Sequence, residues 1–379
     1  MTATPGAVAL TQALVRMNTV NPPGHEDQCA AFLGELLEGA GFRCTTHAFA
    51  PHRTSLVARI GGSSGKLPLC FTGHVDVVPL GAAPWSRDPF AAEIADGRLH
   101  GRGSSDMKSG VAAFVAATIE AAPRLASGPG LSLVITAGEE TGCEGAFHLA
   151  QLHKVERVLG TAGALVVAEP TSNYPLVGHK GAFWLKATTR GVTAHGSMPE
   201  RGDNAVYKAA RAVSALERFE FGVAPDALMG RATLNVGTFR GGLNVNSVPD
   251  AAELGIDIRT IPGQRHAELL GCLCRHLGPE VELATVLDVE SVYTDPANAW
   301  VQRVFAVMAP LLGEAIVPRS VTYFTDAAAL LPAYGTPPTV ILGPGEPQLA
   351  HQTDEYCFVH RIEQAVVAYR ELIREWCGS

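Results

Sequence analysis

No run of eighteen consecutive apolar residues occurs in the 379 residues, so no segment is long enough to cross a bilayer as a helix. There is no cluster of Lys or Arg, and the formal net charge is -8, which excludes nucleic acid and anionic membrane as expected partners. Charged residues are scarce at 17% while hydrophobic ones reach 47%, too apolar a balance for a disordered chain. The eight cysteines lack zinc-knuckle spacing, and only Cys272 and Cys274 lie close together. They are expected to be small buried apolar residues in a reducing, cytoplasmic compartment, without a catalytic role. Met1 to Met17 has one Arg and no apolar core before a small-residue cleavage site, so it reads as an opening helix and not a signal peptide. Internal repeats and low-complexity segments are also absent. What remains is a packed enzyme-like body acting on small molecules, about twice the usual size of one domain, so two domains are expected.

The apolar pattern divides the chain. Helical periodicity is expected over Ala7 to Met17 and Glu26 to Ala40, separated by the breaker Asn21-Pro-Pro-Gly24. Short apolar runs at Ser55 to Ile60, Leu67 to Phe71, Leu131 to Thr136 and Ala164 to Val167, with an Ala-rich helix near Lys108 to Ala122, predict an α/β layer with a mostly parallel sheet. Between residues 181 and 288 the texture changes to longer alternating strands, Phe183 to Thr189, Arg231 to Thr238 and Ala252 to Ile258, interleaved with helices near Asn204 to Phe219 and Gln264 to His276. After Asp288 the α/β texture returns, with a helix near Trp300 to Leu312, a strand at Thr339 to Leu342 and a closing helix from Arg361 to Trp376. The expected organisation is therefore a domain formed by 1–180 and 289–379, with a smaller α+β domain, 181–288, inserted into it.

Chemistry-bearing residues recur just after the apolar strands, where open α/β sheets place their sites. In Phe71-Thr-Gly-His74-Val-Asp76, His74 can ligate a metal while Asp76 accepts its other ring N–H, or the segment is a polar turn. In Gly101-Arg-Gly-Ser-Ser-Asp106-Met-Lys-Ser-Gly110, Asp106 is either a helix N-cap or a carboxylate able to bridge two ions. Glu139 and Glu140 follow the Leu131 run and point in different directions, so that one can ligate and the other take a proton, unless both are exposed loop residues. Glu169 follows Ala164 to Val167, and His351 ends the loop that begins at Gly343. Two His, three carboxylates and a spare Glu suffice for two adjacent sites sharing one bridge, with zinc or cobalt suiting the mixed donors better than magnesium. A phosphate-cradling glycine loop is missing, since Gly101-Arg-Gly103 is too short for one.

Taken together, Thr19-Val-Asn-Pro-Pro23, Gly-His74-Val-Asp76-Val-Val-Pro79, Gly-Arg-Gly-Ser-Ser-Asp106-Met-Lys108, Glu139-Glu140-Thr-Gly142, Glu169-Pro170 and His351 resemble the M20 family of metallohydrolases in order and separation, nearly end to end. The resemblance implies that His74, Asp106 and Glu169 hold one metal, that Asp106, Glu140 and His351 hold a second, that Asp76 orients His74, and that Glu139 is the general base for attack of water on an amide carbonyl. It implies a role for His195, in Arg190-Gly-Val-Thr-Ala-His195-Gly-Ser-Met-Pro199, in stabilising the oxyanion. It places Asn246 and Arg259 against a substrate carboxylate. Without the resemblance, His195 reads as a surface residue and Arg259 as the partner of a neighbouring Asp. The implied insertion is a lid and dimerisation domain, and the implied state a homodimer. Thr322-Tyr-Phe-Thr-Asp326-Ala327 is similar to the acetylornithine deacetylase and glutamate carboxypeptidase branches. The expected substrate is thus an N-acyl amino acid or short peptide-like molecule. A succinyl-diaminopimelate desuccinylase-like or glutamate carboxypeptidase-like hydrolase is the alternative, and a non-catalytic metal-binding regulator the remote one.

Overall fold

The computed structural model describes residues 5–63, 65–125 and 128–378; Met1–Thr4 of the expected opening segment and the last residue of the expected domain bounds lie outside them. The chain divides into two compact units, one of Met1–Gly178, Tyr293–Arg319 and Thr325–Ser379, the other of His179–Val292 and Ser320–Phe324.

The first unit is built on a six-stranded sheet in the order Arg43–Ala50, Arg53–Ile60, Leu131–Thr136, Leu69–His74, Ala164–Val167, Thr339–Ile341. The last four strands in this order run parallel to one another, and the first two form an antiparallel hairpin at one edge. Every residue of Leu69–His74, Leu131–Thr136 and Ala164–Val167 is buried, as expected for strands covered on both faces, and this is why their sequences are mostly apolar rather than alternating.

The Lys108–Ala121 helix is buried from Lys108 through Thr118. It packs against the sheet and against the helices Ala7–Arg16 and Val359–Cys377. Its small side chains permit that approach: a Cβ on Gly110 would lie 2.1 Å from the carbonyl oxygen of Ala168. The Lys108 ammonium donates to the carbonyls of Leu14 (3.0 Å) and Met17 (2.8 Å) at the end of the opening helix, where the last carbonyls lack the usual intrahelical donors. Phe71 anchors the core, its ring 5.8 Å from Phe114 and 5.3 Å from Tyr369. A small antiparallel sheet of Ile94–Ala95, Arg98–His100 and Tyr356–Phe358 joins the loop before Asp106 to the loop after His351.

The second unit has a four-stranded antiparallel sheet, Thr233–Gly241, Ala251–Thr260, Gly181–Arg190, Val281–Val289. Ala251–Thr260 alternates, with Ala252, Leu254, Ile256, Ile258 and Thr260 inward. The helices Ala205–Glu217 and His266–Leu277 supply Ala209, Leu216, Leu269 and Leu273 to the same core. Asn204 caps the first of these helices by accepting from the amides of Val206 and Tyr207.

The fold is thus α/β with a mostly parallel central sheet and a separate α+β unit. The eight cysteines are free, and Cys29, Cys70, Cys143 and Cys357 are buried. Cys272 and Cys274 are exposed, against expectation, because they flank Leu273, whose side chain is the one that faces the core. Among the described residues no helix is long and apolar enough to cross a membrane.

Because Phe71 joins the central strand to the helices Lys108–Ala121 and Val359–Cys377, Phe71→Ala is expected to cost about 3–5 kcal/mol in chemical denaturation. A loss below about 1 kcal/mol would show that the core is not organised around this ring.

Candidate metal centre

The parallel strands bring their C-terminal ends to one edge of the sheet, and His74, Glu139, Glu140 and Glu169 lie at or just beyond those ends, while Asp106 and His351 come from the loops that the small antiparallel sheet joins. His74 closes its strand. Its Nδ1 lies 3.0 Å from the main-chain oxygen of Asp76 and 3.5 Å from that residue's carboxylate. Both neighbours are acceptors, so Nδ1 carries a proton and Nε2 is the atom turned to the cluster. Nε2 is 3.2 Å from Asp106 Oδ1, 3.9 Å from Glu139 Oε2 and 3.9 Å from Glu169 Oε1. On the other side, His351 Nε2 is 3.0 Å from Glu140 Oε2 and 3.5 Å from Asp106 Oδ2. Asp106 therefore turns one oxygen to each imidazole. It does not cap the helix that follows, whose N-cap is Met107 without a side-chain cap bond, so the capping alternative falls.

Asp76 is fully buried and accepts from Asn21 Nδ2 (2.9 Å) and from the amides of Glu139 (3.1 Å) and Glu140 (3.2 Å). One carboxylate thus fixes both the imidazole of His74 and the turn that carries the two glutamates.

The electrostatics are those of crowded anions. Burial pushes the carboxyl groups of Glu139 and Glu169 well above the ordinary range, and the negative charges around them add to the effect. Glu140 is pushed up to about 7, first by burial and then by the charge of Asp106. Burial opposes a charge on His74, but hydrogen bonds to Asp106 and Asp76 and the charges of Glu169 and Glu139 outweigh it and hold its pKa well above the usual value. Burial also opposes a charge on the fourth carboxylate, Asp106, yet His74 and His351 keep its pKa low. Glu140 Oε1 is buried with no hydrogen-bond partner, an acceptor that a cation would satisfy. Two groups of ligand atoms, from His74, Glu139 and Glu169 and from His74, Asp106 and Glu140, each lie within 4.8 Å of one another. Imidazole nitrogens and carboxylate oxygens in this number fit divalent cations.

The sequence matches the family described as Peptidase family M20/M25/M40 over residues 70–375. The chain belongs to the M20 family. A probable succinyl-diaminopimelate desuccinylase of Staphylococcus epidermidis is 30% identical over 97% of both chains. An acetylornithine deacetylase of Myxococcus xanthus is 32% identical over 90% of both. A succinyl-diaminopimelate desuccinylase of Cereibacter sphaeroides is 34% identical over 77% of this chain and 79% of its own. In fold, the chain superposes on an M20 family metallo-carboxypeptidase of Sulfolobus solfataricus with a TM-score of 0.80 at 18% identity, covering 98% and 99% of the two chains. A dinuclear metal-binding M20 peptidase of Bacillus subtilis gives 0.71 at 15% identity, covering 97% and 96%. The protein is an M20 metallohydrolase.

Three further residues singled out in this M20 sequence are carried by the second unit. His195 is exposed, and its Nδ1 lies 2.7 Å from Ser197 Oγ and accepts from the Ser197 amide at 3.2 Å. Asn246 is brought beside it, its carbonyl accepting from the amide of Gly196 at 2.7 Å. Arg259 is engaged by Asp257, Nε to Oδ1 at 2.9 Å, and Trp184 Nε1 donates to the same oxygen at 3.0 Å. The ion pair with a neighbouring Asp, the plainer reading of Arg259, is present.

Several residues that shape the centre were assigned no role from the sequence. Asn21 was visible only as part of a chain breaker and of the Thr19–Pro23 motif. Buried Asp326 accepts from the Thr136 hydroxyl through Oδ2, has no partner at Oδ1, and is pushed up to about 6 by burial. Arg102 and Glu355 form a wholly buried ion pair beside the Asp106 loop. A signal of sorts existed for Asp326, within the Thr-Asp-Ala segment, and Arg102 lay inside the Asp106 motif, but Glu355 had none. His25, Asp27 and His52 form one more His-carboxylate group, of which His52 and Asp27 are joined in an ion pair at 2.7 Å on the surface.

In the metal-free fold Glu140 takes up a proton at about pH 7, whereas its ordinary value is 4.5. This contribution to stability is complete below about pH 4.5 and is lost as pH rises through about 7, because the unfolded chain has already released the proton. Divalent cations bind the ionised groups instead. The Tm difference between metal-loaded and chelator-treated protein should therefore widen between about pH 5 and pH 8. A difference that stays constant or narrows would contradict this description of the centre.

Proposed function

We propose that this M20 enzyme hydrolyses the amide bond of an N-acyl amino acid in the manner of an acetylornithine deacetylase, using two divalent metals, zinc or cobalt. The observation that carries the reading is the placement of Asp106, with Oδ1 3.2 Å from His74 Nε2 and Oδ2 3.5 Å from His351 Nε2. In this reading His74, Asp106 and Glu169 hold one ion, and Asp106, Glu140 and His351 hold the other. The pair of ions, when bound, supplies electrophilic polarisation of the amide carbonyl and acidifies the attacking water.

The residues do the rest. Asp76 holds His74 in the tautomer that presents Nε2. Glu139 receives the proton of the attacking water and passes it to the departing amine; its burial, which favours the protonated carboxyl group, suits it to hold the proton between the two steps. Because the Ser197 amide donates to Nδ1 of His195, the neutral ring carries its proton on Nε2 and can donate to the oxyanion. Asn246 and Arg259 bind the substrate carboxylate, Arg259 exchanging Asp257 for it.

The deacetylase of Myxococcus xanthus and the Thr322–Ala327 segment support the acyl class, and the desuccinylases at 30% and 34% identity support the second reading, a succinyl-diaminopimelate desuccinylase-like enzyme. A glutamate carboxypeptidase-like activity is a third outcome of the assay below. We take the enzyme to be a cytoplasmic homodimer with residues 181–288 as lid and dimerisation domain. Leu243, Val245 and Tyr207, apolar and 97%, 103% and 66% exposed in that unit, support a contact there.

A panel of N-acetyl, N-succinyl, N-formyl and glutamyl amino acids, assayed for released amine with zinc or cobalt, tests the reading. Chelator-sensitive hydrolysis of N-acetyl amino acids is expected, and turnover confined to N-succinyl substrates would give the second reading. Glu139→Gln should keep two metals and lose more than about 10²-fold in kcat. Full activity in that variant would remove Glu139 as the base.

A further inference from the structure

Glu355 is completely buried, and each of its carboxylate oxygens receives two hydrogen bonds. Oε1 accepts from the amides of Ser105 (2.8 Å) and Asp106 (3.0 Å). Oε2 accepts from the amide of Gly103 (3.1 Å) and from Arg102 Nη1 (2.6 Å). Four donors on two oxygens leave this group no capacity for water or a metal. It is spent on three main-chain amides and one side chain of a single loop, and that loop is the one that presents Asp106.

The surroundings reinforce the arrangement. Arg102, itself fully buried, also donates to the carbonyls of Gln352 and Pro79, both at 3.2 Å. Gln352 follows His351, and Pro79 lies three residues beyond Asp76, so one guanidinium joins the segments that carry His351, Asp106 and Asp76. The Ser105 hydroxyl donates to the carbonyl of Tyr356 at 2.7 Å, and the amide of Gly101 to the carbonyl of Glu355 at 2.9 Å. The backbone can close this tightly because Gly103, at φ +85°, has no side chain; a Cβ there would lie 2.5 Å from Val77 Cγ1.

We propose that Glu355 is the positioning residue of the centre: through three main-chain amides it sets where Asp106 stands between His74 and His351, and by its place four residues after His351 it fixes the two halves of the cluster to each other. The inference rests on the bridging role given to Asp106 above. A carboxylate that only filled a hole in the fold would matter equally with and without metals. A positioning carboxylate matters to metal affinity and to the chemical step, while substrate binding by the second unit is spared. Removal of such an outer partner typically costs 10- to 100-fold in metal affinity or activity, here about that range.

The test uses full-length protein loaded with cobalt, following metal stoichiometry, the visible cobalt absorption, kcat and KM, and the Tm of the chelator-treated form. Glu355→Gln keeps the shape but supplies an NH2 group where an acceptor is needed. It should weaken one of the two cobalt equivalents by about tenfold or more, alter the absorption and lower kcat by about 10- to 100-fold with little change in KM. Should that variant fail to fold because Arg102 loses its counter-ion, Glu355→Asp keeps the charge but withdraws it by one methylene, and should show the same pattern. Two cobalt ions with wild-type absorption and wild-type kcat in a folded variant would overturn the role of Glu355 while leaving the dimetal reading intact. Wild-type protein that takes up no pair of cobalt ions would overturn the dimetal reading itself.

Discussion

Repulsion among buried carboxylates is the constraint around which the first unit is organised. Asp106, Glu139, Glu140 and Glu169 converge on two imidazoles at the ends of parallel strands, and Asp76 and Asp326 lie buried beside them. Isolated ionised carboxylates are costly to remove from water, so a fold that gathers this many must neutralise them by protons, by hydrogen bonds or by cations. The structure shows the first two remedies: Glu139, Glu140 and Glu169 are pushed toward their protonated forms, and Asp76 and Glu355 are saturated with donors. The third remedy is the one an M20 metallohydrolase uses, and Glu140 Oε1, buried and without a partner, is where the hydrogen-bond remedy stops short.

Two kinds of carboxylate are therefore present, and their surroundings separate them. Asp76 and Glu355 spend their oxygens on amides, Asn21 and Arg102, and so hold backbone in place. The oxygens of Asp106, Glu139 and Glu140 face imidazoles across 3.0 to 3.9 Å. Function follows from which acceptors the fold satisfies and which it leaves available. Lys108 belongs to the holding set as well, since it ties the helix that begins beside Asp106 to the end of the opening helix.

The parts of this organisation that were legible in the sequence are those written in apolar runs. Leu131–Thr136 and Ala164–Val167 occur with the limits the runs suggested, because strands covered on both faces are built mostly from apolar residues. The edge strand Arg43–Ala50 was not foreseen, since its mixed sequence follows from exposure on one side of the sheet. The helix Glu144–Glu156 carries polar residues on much of its surface, and Ala327–Tyr334 contains Pro332, so neither gave a clear helical period. At the site, His74, Asp106, Glu139, Glu140, Glu169 and His351 could be picked out because each follows a strand or a glycine-rich turn. Glu355 could not, because its partners are main-chain amides, which look alike in every sequence. The loops that bear His195 and Asn246 pair within the second unit, but that pairing was not visible in their separate segments.

The central claim is that one carboxylate, Asp106, serves two metal ions. Anomalous diffraction from crystals of the zinc-loaded protein measures this directly. The account predicts two peaks about 3.5 to 4 Å apart, with one oxygen of Asp106 on each. A single peak, or two peaks with Asp106 bound to only one of them, would contradict it.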